Sequence, residues 1–231
     1  MTKPDFLGIG AQKSGTTWLW QQLRLHPQLF FPETKEIHFW DLHYSRGYKW
    51  YENQFHPDVD GLAGEITAAY AILPIETIAE IHSRYPELRL LYLLRNPIDR
   101  AWSAALMALQ RAEMVIGEAS DQWFIDHFHS SGSRLRGDYA TCLDHWLTYY
   151  PREQLYAGHY DRISSDPQGL LSEVCTHLGI DQFSTIGITL NFSSRFNKSI
   201  DAPLRESLYP VLQELYQPVI ARLERDYGIT F

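Results

Sequence analysis

Short apolar runs alternate along the chain with longer segments in which apolar residues recur every three or four positions. The runs at residues 6–11 (FLGIGA), 88–94 (LRLLYLL) and, less strongly, 154–158 (QLYAG) are typical of strands in a buried parallel sheet. Helices are predicted for residues 16–26, 74–84, 98–109, 167–178 and 204–227. Because strands and helices alternate, we expect an α/β fold, a single domain over residues 1–231 with a central parallel β-sheet flanked by helices.

Prolines mark several of the predicted helix ends. Pro27 should stop the first helix, because proline lacks the N–H that a helix interior needs. Asn96 and Pro97 should begin the helix at 98–109 as its N-cap and first residue. Pro210 and Pro218 are expected to bend or divide the last helical segment.

The segment QKSGTT at residues 12–17 lies between the first strand and the first helix, where phosphate is commonly bound. Backbone N–H groups at a helix N-terminus point at the anion, Gly15 allows close approach, and Lys13 adds a positive charge. A surface turn whose helix is capped by Thr16 or Thr17 explains the same residues equally well. The order differs from the Walker A pattern GxxxxGK(S/T), because Lys13 precedes Gly15.

The second strand ends at Arg95, where nucleoside triphosphatases usually have a magnesium-binding aspartate. An arginine there repels a metal ion and attracts another phosphate, and Ser103, about two helical turns later, can reach the same group. The alternative is an Arg95 paired with Asp99 and a serine that only packs. The histidines show neither HxxxH nor HExxH spacing, so no metal is predicted.

Composition narrows the classes of function. Apolar residues make up 45% of the 231 positions and aromatic residues 14%, which excludes a disordered chain or a small disulfide scaffold. A net charge of −8 argues against a general binder of nucleic acid or anionic membranes. Cys142 and Cys175 lie outside any CxxC spacing and favour a reducing compartment. No signal-like start or membrane-length apolar stretch occurs, so a cytoplasmic protein without stable membrane insertion is expected.

Three ordered motifs resemble those of sulfotransferases that use 3′-phosphoadenosine 5′-phosphosulfate (PAPS), closest to the heparan-sulfate-type and bacterial branch. The motifs are residues 12–18 (QKSGTTW), 35–41 (KEIHFWD) and 94–103 (LRNPIDRAWS). Residues 137–153 and 216–228 resemble later segments of bacterial members. The resemblance implies a P-loop-like phosphosulfate-binding loop, PAPS as sulfuryl donor, no metal, and adenosine 3′,5′-bisphosphate (PAP) as product. The implied PAPS-binding residues are Lys13, Ser14, Gly15, Thr16, Thr17, Trp18, Arg95, Ser103 and Lys198.

The chain departs from the family pattern at two places. Family members usually have a lysine, near the acceptor side, where residues 65–70 (EITAAY) carry Ile66. The late cofactor loop is matched only loosely by residues 195–203, where Lys198 is the candidate and Arg195 its rival. A solvated surface charge explains either residue equally well.

The same resemblance implies a catalytic set of Glu36, Lys13 and His38. Lys13 would neutralise charge on the leaving oxygen, and Glu36 would take the proton of an acceptor hydroxyl. His38 shares a face with Glu36 if the segment is extended, and could orient it, share its proton or act as the base itself. In isolation, a surface carboxylate and a histidine packed between Phe39 and Trp40 explain these residues as well.

The acceptor is expected to be a hydroxyl on a small molecule, lipid or glycan. An acidic protein favours a small alcohol, phenol, lipid or biosynthetic intermediate over a highly sulfated polysaccharide. Tyr44, Tyr48, Trp50 and Tyr51 could line an acceptor cleft or belong to ordinary packing. Two other functions remain open at this point: a nucleotide phosphotransferase, and a non-catalytic nucleotide-binding module.

Overall fold

A five-stranded sheet forms the centre of the fold in a computed structural model that describes residues 3–55, 61–192 and 202–231. The strands are β1 (Phe6–Gly10), β2 (Leu29–Phe30), β3 (Leu62–Ile66), β4 (Arg89–Leu94) and β5 (Leu155–His159). All neighbours are parallel, in the order β2-β3-β1-β4-β5. The predicted α/β fold, a central parallel sheet flanked by helices, is confirmed.

The helices occupy most of the sequence between and after the strands. They are α1 (Thr16–Leu23), α2 (Tyr48–Glu52), α3 (Ile75–Arg84), α4 (Pro97–Arg111), α5 (Asp121–His129), α6 (Ser131–Gly137), α7 (Tyr139–Leu147), α8 (Arg162–Ser165), α9 (Pro167–Leu178) and α10 (Tyr209–Tyr227). A π-helical turn covers Phe39–His43, and 3₁₀ turns cover Tyr44–Arg46, Ala68–Ile72, Arg152–Gln154 and Glu206–Leu208.

The structure corrects two helix predictions. α1 ends at Leu23 rather than at residue 26, because the chain turns so that the His26 ring is buried and lies 2.9 Å from the carbonyl oxygen of Asp181. The last segment is not divided by its prolines. Pro210 lies in the first turn of α10, where the missing N–H has no intrahelical acceptor to lose, and the helix continues through Pro218. The N-cap prediction holds, since the Asn96 side chain accepts a hydrogen bond from the Ile98 N–H.

The chain divides into two compact units. Unit 1 consists of Met1–Leu94 and Asp144–Phe196 and contains the whole sheet. Its core is formed by β1, β3 and β4 together with α1 and α9, through side chains such as Phe6, Leu19, Leu93 and Val174. The prediction of a single domain over 1–231 stays a prediction.

Unit 2 consists of Arg95–Leu143 and Asn197–Phe231 and is helical. The apolar faces of α4, α5 and α10 form its core, which includes Trp102, Phe124 and Leu212. An ion pair of 2.6 Å joins Arg205 to Asp121 at the first residue of α5. The element α7 begins in unit 2 and ends in unit 1.

Candidate active site

The loop between β1 and α1 has the backbone of an anion-binding site. Gly15 is the N-cap of α1 with φ 84°, and Lys13 also has a left-handed backbone, φ 67°. The positive φ at Gly15 favours glycine, and an added Cβ would collide with the end of the Ile163 side chain and lie 3.1 Å from Tyr160, so Ile163 would have to move. The first N–H groups of a helix lack intrahelical acceptors, and a glycine N-cap supplies no side-chain acceptor. Because Thr16 and Thr17 lie inside α1, neither is its N-cap, and that alternative is wrong.

The residues of this loop fit an anionic ligand. Ser14 is fully buried, and its Oγ atom has no hydrogen-bond partner among the described residues. A buried hydroxyl without a partner is unfavourable, and an oxyanion at the start of α1 is the kind of acceptor it needs. Trp18 is mostly buried in the first turn of the helix. The phosphosulfate end of PAPS therefore matches the chemistry of this loop.

A second cluster in unit 1 places an imidazole between two carboxylates. His38 Nε2 lies 3.1 Å from Glu36 Oε2, and His38 Nδ1 lies 2.9 Å from Asp41 Oδ2. The condition for a shared face, an extended segment, is not met at His38. Instead His38 has φ 55° and precedes the π-helical turn Phe39–His43, which brings Asp41 back to the ring. Phe39 and Trp40 are buried, whereas the His38 side chain is 28% exposed, so His38 is not a packed core histidine.

The other oxygen of Glu36 is also occupied. Glu36 Oε1 accepts a hydrogen bond from the Ala68 N–H at 3.2 Å and lies 3.4 Å from the Lys35 ammonium. The Lys35 side chain is only 11% exposed. Burial lowers the pKa of Lys35, and the charges of Glu36 and Glu65 act in the opposite direction.

Behind this cluster, Glu65 on β3 is a buried hydrogen-bonding centre. Its carboxylate accepts hydrogen bonds from the hydroxyls of Tyr51 at 2.9 Å, Tyr70 at 2.8 Å and Thr67 at 2.6 Å, and from the backbone of Ile37. Burial raises the pKa of Glu65, and these hydrogen bonds act in the opposite direction. The contacts connect β3 and α2 to the segment that carries Glu36.

The remaining predicted cofactor residues lie in unit 2 or outside the described residues. Arg95 directly follows β4, and Ser103 is on α4; both are half-buried. Their convergence on one phosphate, and the alternative pair of Arg95 with Asp99, stay predictions. Lys198 and its rival Arg195 lie outside the described residues.

Two residues considered for the acceptor side, Ile66 and Tyr51, are buried in the structure. Ile66, where the resemblance led us to expect lysine, is 2% exposed and belongs to the core of unit 1. An added Cβ on Gly8 would come within 2.6 Å of it. Tyr51 is fully buried and stacks on Phe39 at 4.5 Å between ring centroids, so it packs rather than lining a cleft.

The other three aromatic residues are more accessible. Tyr44 is 46% exposed and donates a hydrogen bond to Glu80, while Arg84 lies over the ring of Tyr48 and Arg46 over that of Trp50. A role for Tyr44, Tyr48 and Trp50 in an acceptor cleft stays a prediction.

Sequence reasoning assigned no role to Asp41, Lys35 or Glu65. Asp41 stands three residues after His38, a spacing that brings two side chains together once the segment turns. Glu65 lies in a strand, LAGEI, that the apolar pattern did not identify. Among the described residues no cluster of His, Cys, Asp and Glu could hold a metal ion. Within the same ranges no helix is both long and apolar enough to cross a membrane.

Comparison with known proteins places these features in context. The sequence model described as "Sulfotransferase domain" matches residues 3–200. Human heparan sulfate glucosamine 3-O-sulfotransferase 6 is 31% identical over 194 residues, covering 79% of this chain and 54% of that protein. The membrane-associated sulfotransferase kil1 of Dictyostelium discoideum is 24% identical over 266 residues, covering 77% and 56%. The chain spans about half the length of the curated relatives it matches.

Solved structures show the same fold. The sulfotransferase from Alicyclobacillus acidocaldarius superimposes with a TM-score of 0.80 at 24% identity, covering 100% of this chain and 98% of that one. Mouse sulfotransferase SULT7A1, complexed with PAP, gives a TM-score of 0.63 at 14% identity, covering 99% and 90%. At these identities the likeness establishes a common fold.

Proposed function

This chain belongs to the sulfotransferase domain family, and we propose that it transfers a sulfuryl group from PAPS to an acceptor hydroxyl and releases PAP. The observation that carries the proposal is the run Glu36–His38–Asp41, in which the imidazole is hydrogen-bonded to Asp41 and lies 3.1 Å from Glu36 Oε2, a proton-accepting group suited to activating a hydroxyl. A nucleotide phosphotransferase is not favoured, because the family model and the relatives are sulfotransferases. A non-catalytic nucleotide-binding module would bind the nucleotide without turning over any acceptor, so a turnover assay distinguishes it from the proposed enzyme.

The loop after β1 holds the donor in this proposal. PAPS, when bound, supplies an activated sulfuryl group attached to a phosphate that can leave. Backbone N–H groups of Gly15 to Trp18 and the Ser14 hydroxyl bind the phosphosulfate end, and the Lys13 ammonium stabilises negative charge on the departing phosphate oxygen. By the sequence resemblance, Arg95 and Ser103 bind the 3′-phosphate, with Lys198 as a further candidate.

Glu36 acts as the general base. The acceptor oxygen forms a bond to sulfur, the bond between sulfur and the phosphate oxygen breaks with its electron pair leaving on PAP, and the hydroxyl proton passes to Glu36. Having an N–H at only one of its nitrogens, a neutral imidazole can donate to either Glu36 or Asp41, whereas the protonated ring donates to both. His38 therefore orients Glu36 and can share the proton, while Asp41 fixes the ring.

The acceptor in this proposal is an uncharged hydroxyl compound, such as a small alcohol, phenol, lipid or biosynthetic intermediate. Glu36 and Asp41 make the base cluster acidic, and the chain carries a net charge of −8. A highly sulfated polysaccharide would be repelled by such a surface. A cytoplasmic location is also part of the proposal, supported by two buried cysteines that form no disulfide.

Turnover of PAPS with a panel of neutral hydroxyl acceptors, in the presence of EDTA, tests the proposal. Equal amounts of PAP and sulfated product should form, and omission of the acceptor should abolish most PAP formation. A parallel reaction with ATP and magnesium should give no phosphorylated product. Binding of PAP without turnover on any acceptor would favour the non-catalytic module, and phosphorylated product would favour the phosphotransferase.

A further inference from the structure

Lys35 occupies a position that lysine rarely takes. Its side chain is 11% exposed, and its Nζ atom lies 3.4 Å from Glu36 Oε1. Lysine side chains are seldom buried unless they are paired, because removing an ammonium from water is costly. The burial of Lys35 therefore needs an explanation in terms of the carboxylates around it.

The neighbouring carboxylates differ in how much acceptor capacity they have left. Glu65 already accepts hydrogen bonds from three hydroxyls and from the Ile37 backbone. Glu36 Oε1 accepts from the Ala68 N–H and faces Lys35, while Oε2 faces His38. The Lys35 ammonium thus has Glu36 as its direct partner, with Glu65 as a more distant counter-charge.

We propose that Lys35 is the positioning residue of the base, since it holds Oε1 of Glu36 and leaves Oε2 directed to His38. The inference rests on the proposed function and extends it to a residue that touches neither donor nor acceptor.

The charged and titratable groups that face this pair define what a pH profile will report. His38 and Asp41 lie on the same segment, and Glu65 with the Tyr51 and Tyr70 hydroxyls faces it from β3, α2 and the following turn. Removing the Lys35 charge takes away the cation in direct contact with Glu36 Oε1. A carboxylate that loses its nearest cation is harder to ionise.

The experiment compares Lys35→Met, Lys35→Arg and the control Lys49→Met, an exposed lysine on α2. Lys35→Met should lower kcat about tenfold at neutral pH, move the acid limb of the kcat profile to higher pH and leave PAP affinity unchanged. Lys35→Arg should restore both kcat and the profile. Lys49→Met should match the wild type.

A second readout is independent of turnover. The ¹³C carboxyl signal of Glu36, identified by its loss in Glu36→Gln, should titrate at higher pH in Lys35→Met than in the wild type. Coincident titration curves, or a Lys35→Met enzyme that loses activity without any change in its pH profile, would overturn the role of Lys35. A shifted titration in a protein that turns over no acceptor would support Lys35 and refute the proposed function instead.

Discussion

At the scale of single residues, the two carboxylates of the base cluster have different capacities for chemistry. A carboxylate offers about four acceptor positions, and Glu65 fills them with three hydroxyls and one backbone N–H. Glu36 has a side chain that is 25% exposed and an oxygen shared with His38. Glu65 is therefore structural, and Glu36 is the carboxylate that can receive a proton from an acceptor.

Substituting Ile66 with lysine tests whether the apolar residue is a defect or an adaptation. Ile66→Lys should lower the free energy of unfolding by about 2 kcal/mol more than the control Ile66→Met, because it places an unpaired ammonium in the core beside Gly8. Turnover should not improve. Urea unfolding and steady-state kinetics measure the two effects, and a clear rise in kcat would show that the natural chain is an impaired catalyst.

Replacing Arg95 tests the predicted 3′-phosphate contact. Arg95→Ala should weaken PAP binding by about 2 kcal/mol or more, the range for truncating a buried charge contact. Binding of adenosine 5′-phosphate should barely change, because it has no 3′-phosphate. Calorimetry with both ligands provides the comparison. Equal losses of affinity for the two nucleotides would contradict the assignment of Arg95.

The candidate site was only partly predictable from its residues. Glu36 and His38 followed from the resemblance of residues 35–41, but their contact depends on the left-handed backbone at His38 and the π-helical turn after it. Lys35 and Glu65 interact through tertiary burial, which no local spacing encodes. Such contacts become visible only when β3 and the segment before the turn are placed together.

At the scale of elements, the three strands with a local apolar pattern were predicted, including the weaker run at 154–158 that forms β5, and the two strands without such a pattern were missed. The apolar runs before residues 11 and 95 predicted β1 and β4, the two strands that precede the candidate phosphate-binding segments. The strand β3 was missed because its sequence, LAGEI, contains a glycine and a glutamate. The glutamate is stable in the protein interior only because other side chains donate hydrogen bonds to it. The two-residue β2 carries no periodic signal at all.

The junction between β1 and α1 gives a prediction at this scale. Gly15→Ala should lower the free energy of unfolding by about 2 to 4 kcal/mol, because it combines a positive φ with a collision at Ile163. Gly228→Ala is the matched control, since φ 66° and ψ 21° place it in the same left-handed region as Gly15 but no atom lies within 4 Å of the added Cβ. It should cost only about 1 kcal/mol. The affinity for PAP should fall in Gly15→Ala and not in the control. Equal effects of the two variants on stability and on PAP binding would argue against an anion-binding site at this junction.

At the scale of the whole molecule, buried histidines connect stability to pH. Burial lowers the pKa of His26 and His177 in unit 1 and of His127 in unit 2. The His26 ring is fixed by the Gln28 N–H, which donates to Nδ1 at 3.2 Å, and by the Asp181 carbonyl, which accepts from Nε2. Each of these histidines therefore gains a proton less readily in the fold than in the unfolded chain.

We therefore expect stability to fall as the pH drops below about 6.5, the unperturbed histidine value. In that window the unfolded chain binds more protons than the native one, so stability is fully present above it and is lost on acidification. Burial raises the pKa of Glu65, so this residue acts in the opposite direction. Its contribution to the free energy of unfolding decreases as the pH rises above 4.5, the ordinary pKa of a glutamate. Urea unfolding at about pH 7.5 and 5.5 measures how much the free energy of unfolding decreases on acidification. This decrease should be smaller in His26→Gln than in the wild type. An equal decrease in the two proteins would mean that folding does not lower the pKa of His26.

The most direct test of the central claim is the kcat of Glu36→Gln at saturating PAPS, with Glu33→Gln as the control. Glu33 is an exposed carboxylate three residues earlier on the same segment. Glutamine keeps the size and hydrogen-bonding reach of Glu36 but cannot take the proton, so kcat should fall by about 10² to 10⁴ while PAP affinity is retained. Glu33→Gln should turn over normally, and His38→Ala should lose less than Glu36→Gln. Near-normal turnover in Glu36→Gln together with a collapse in His38→Ala would contradict the account and assign the base to the histidine.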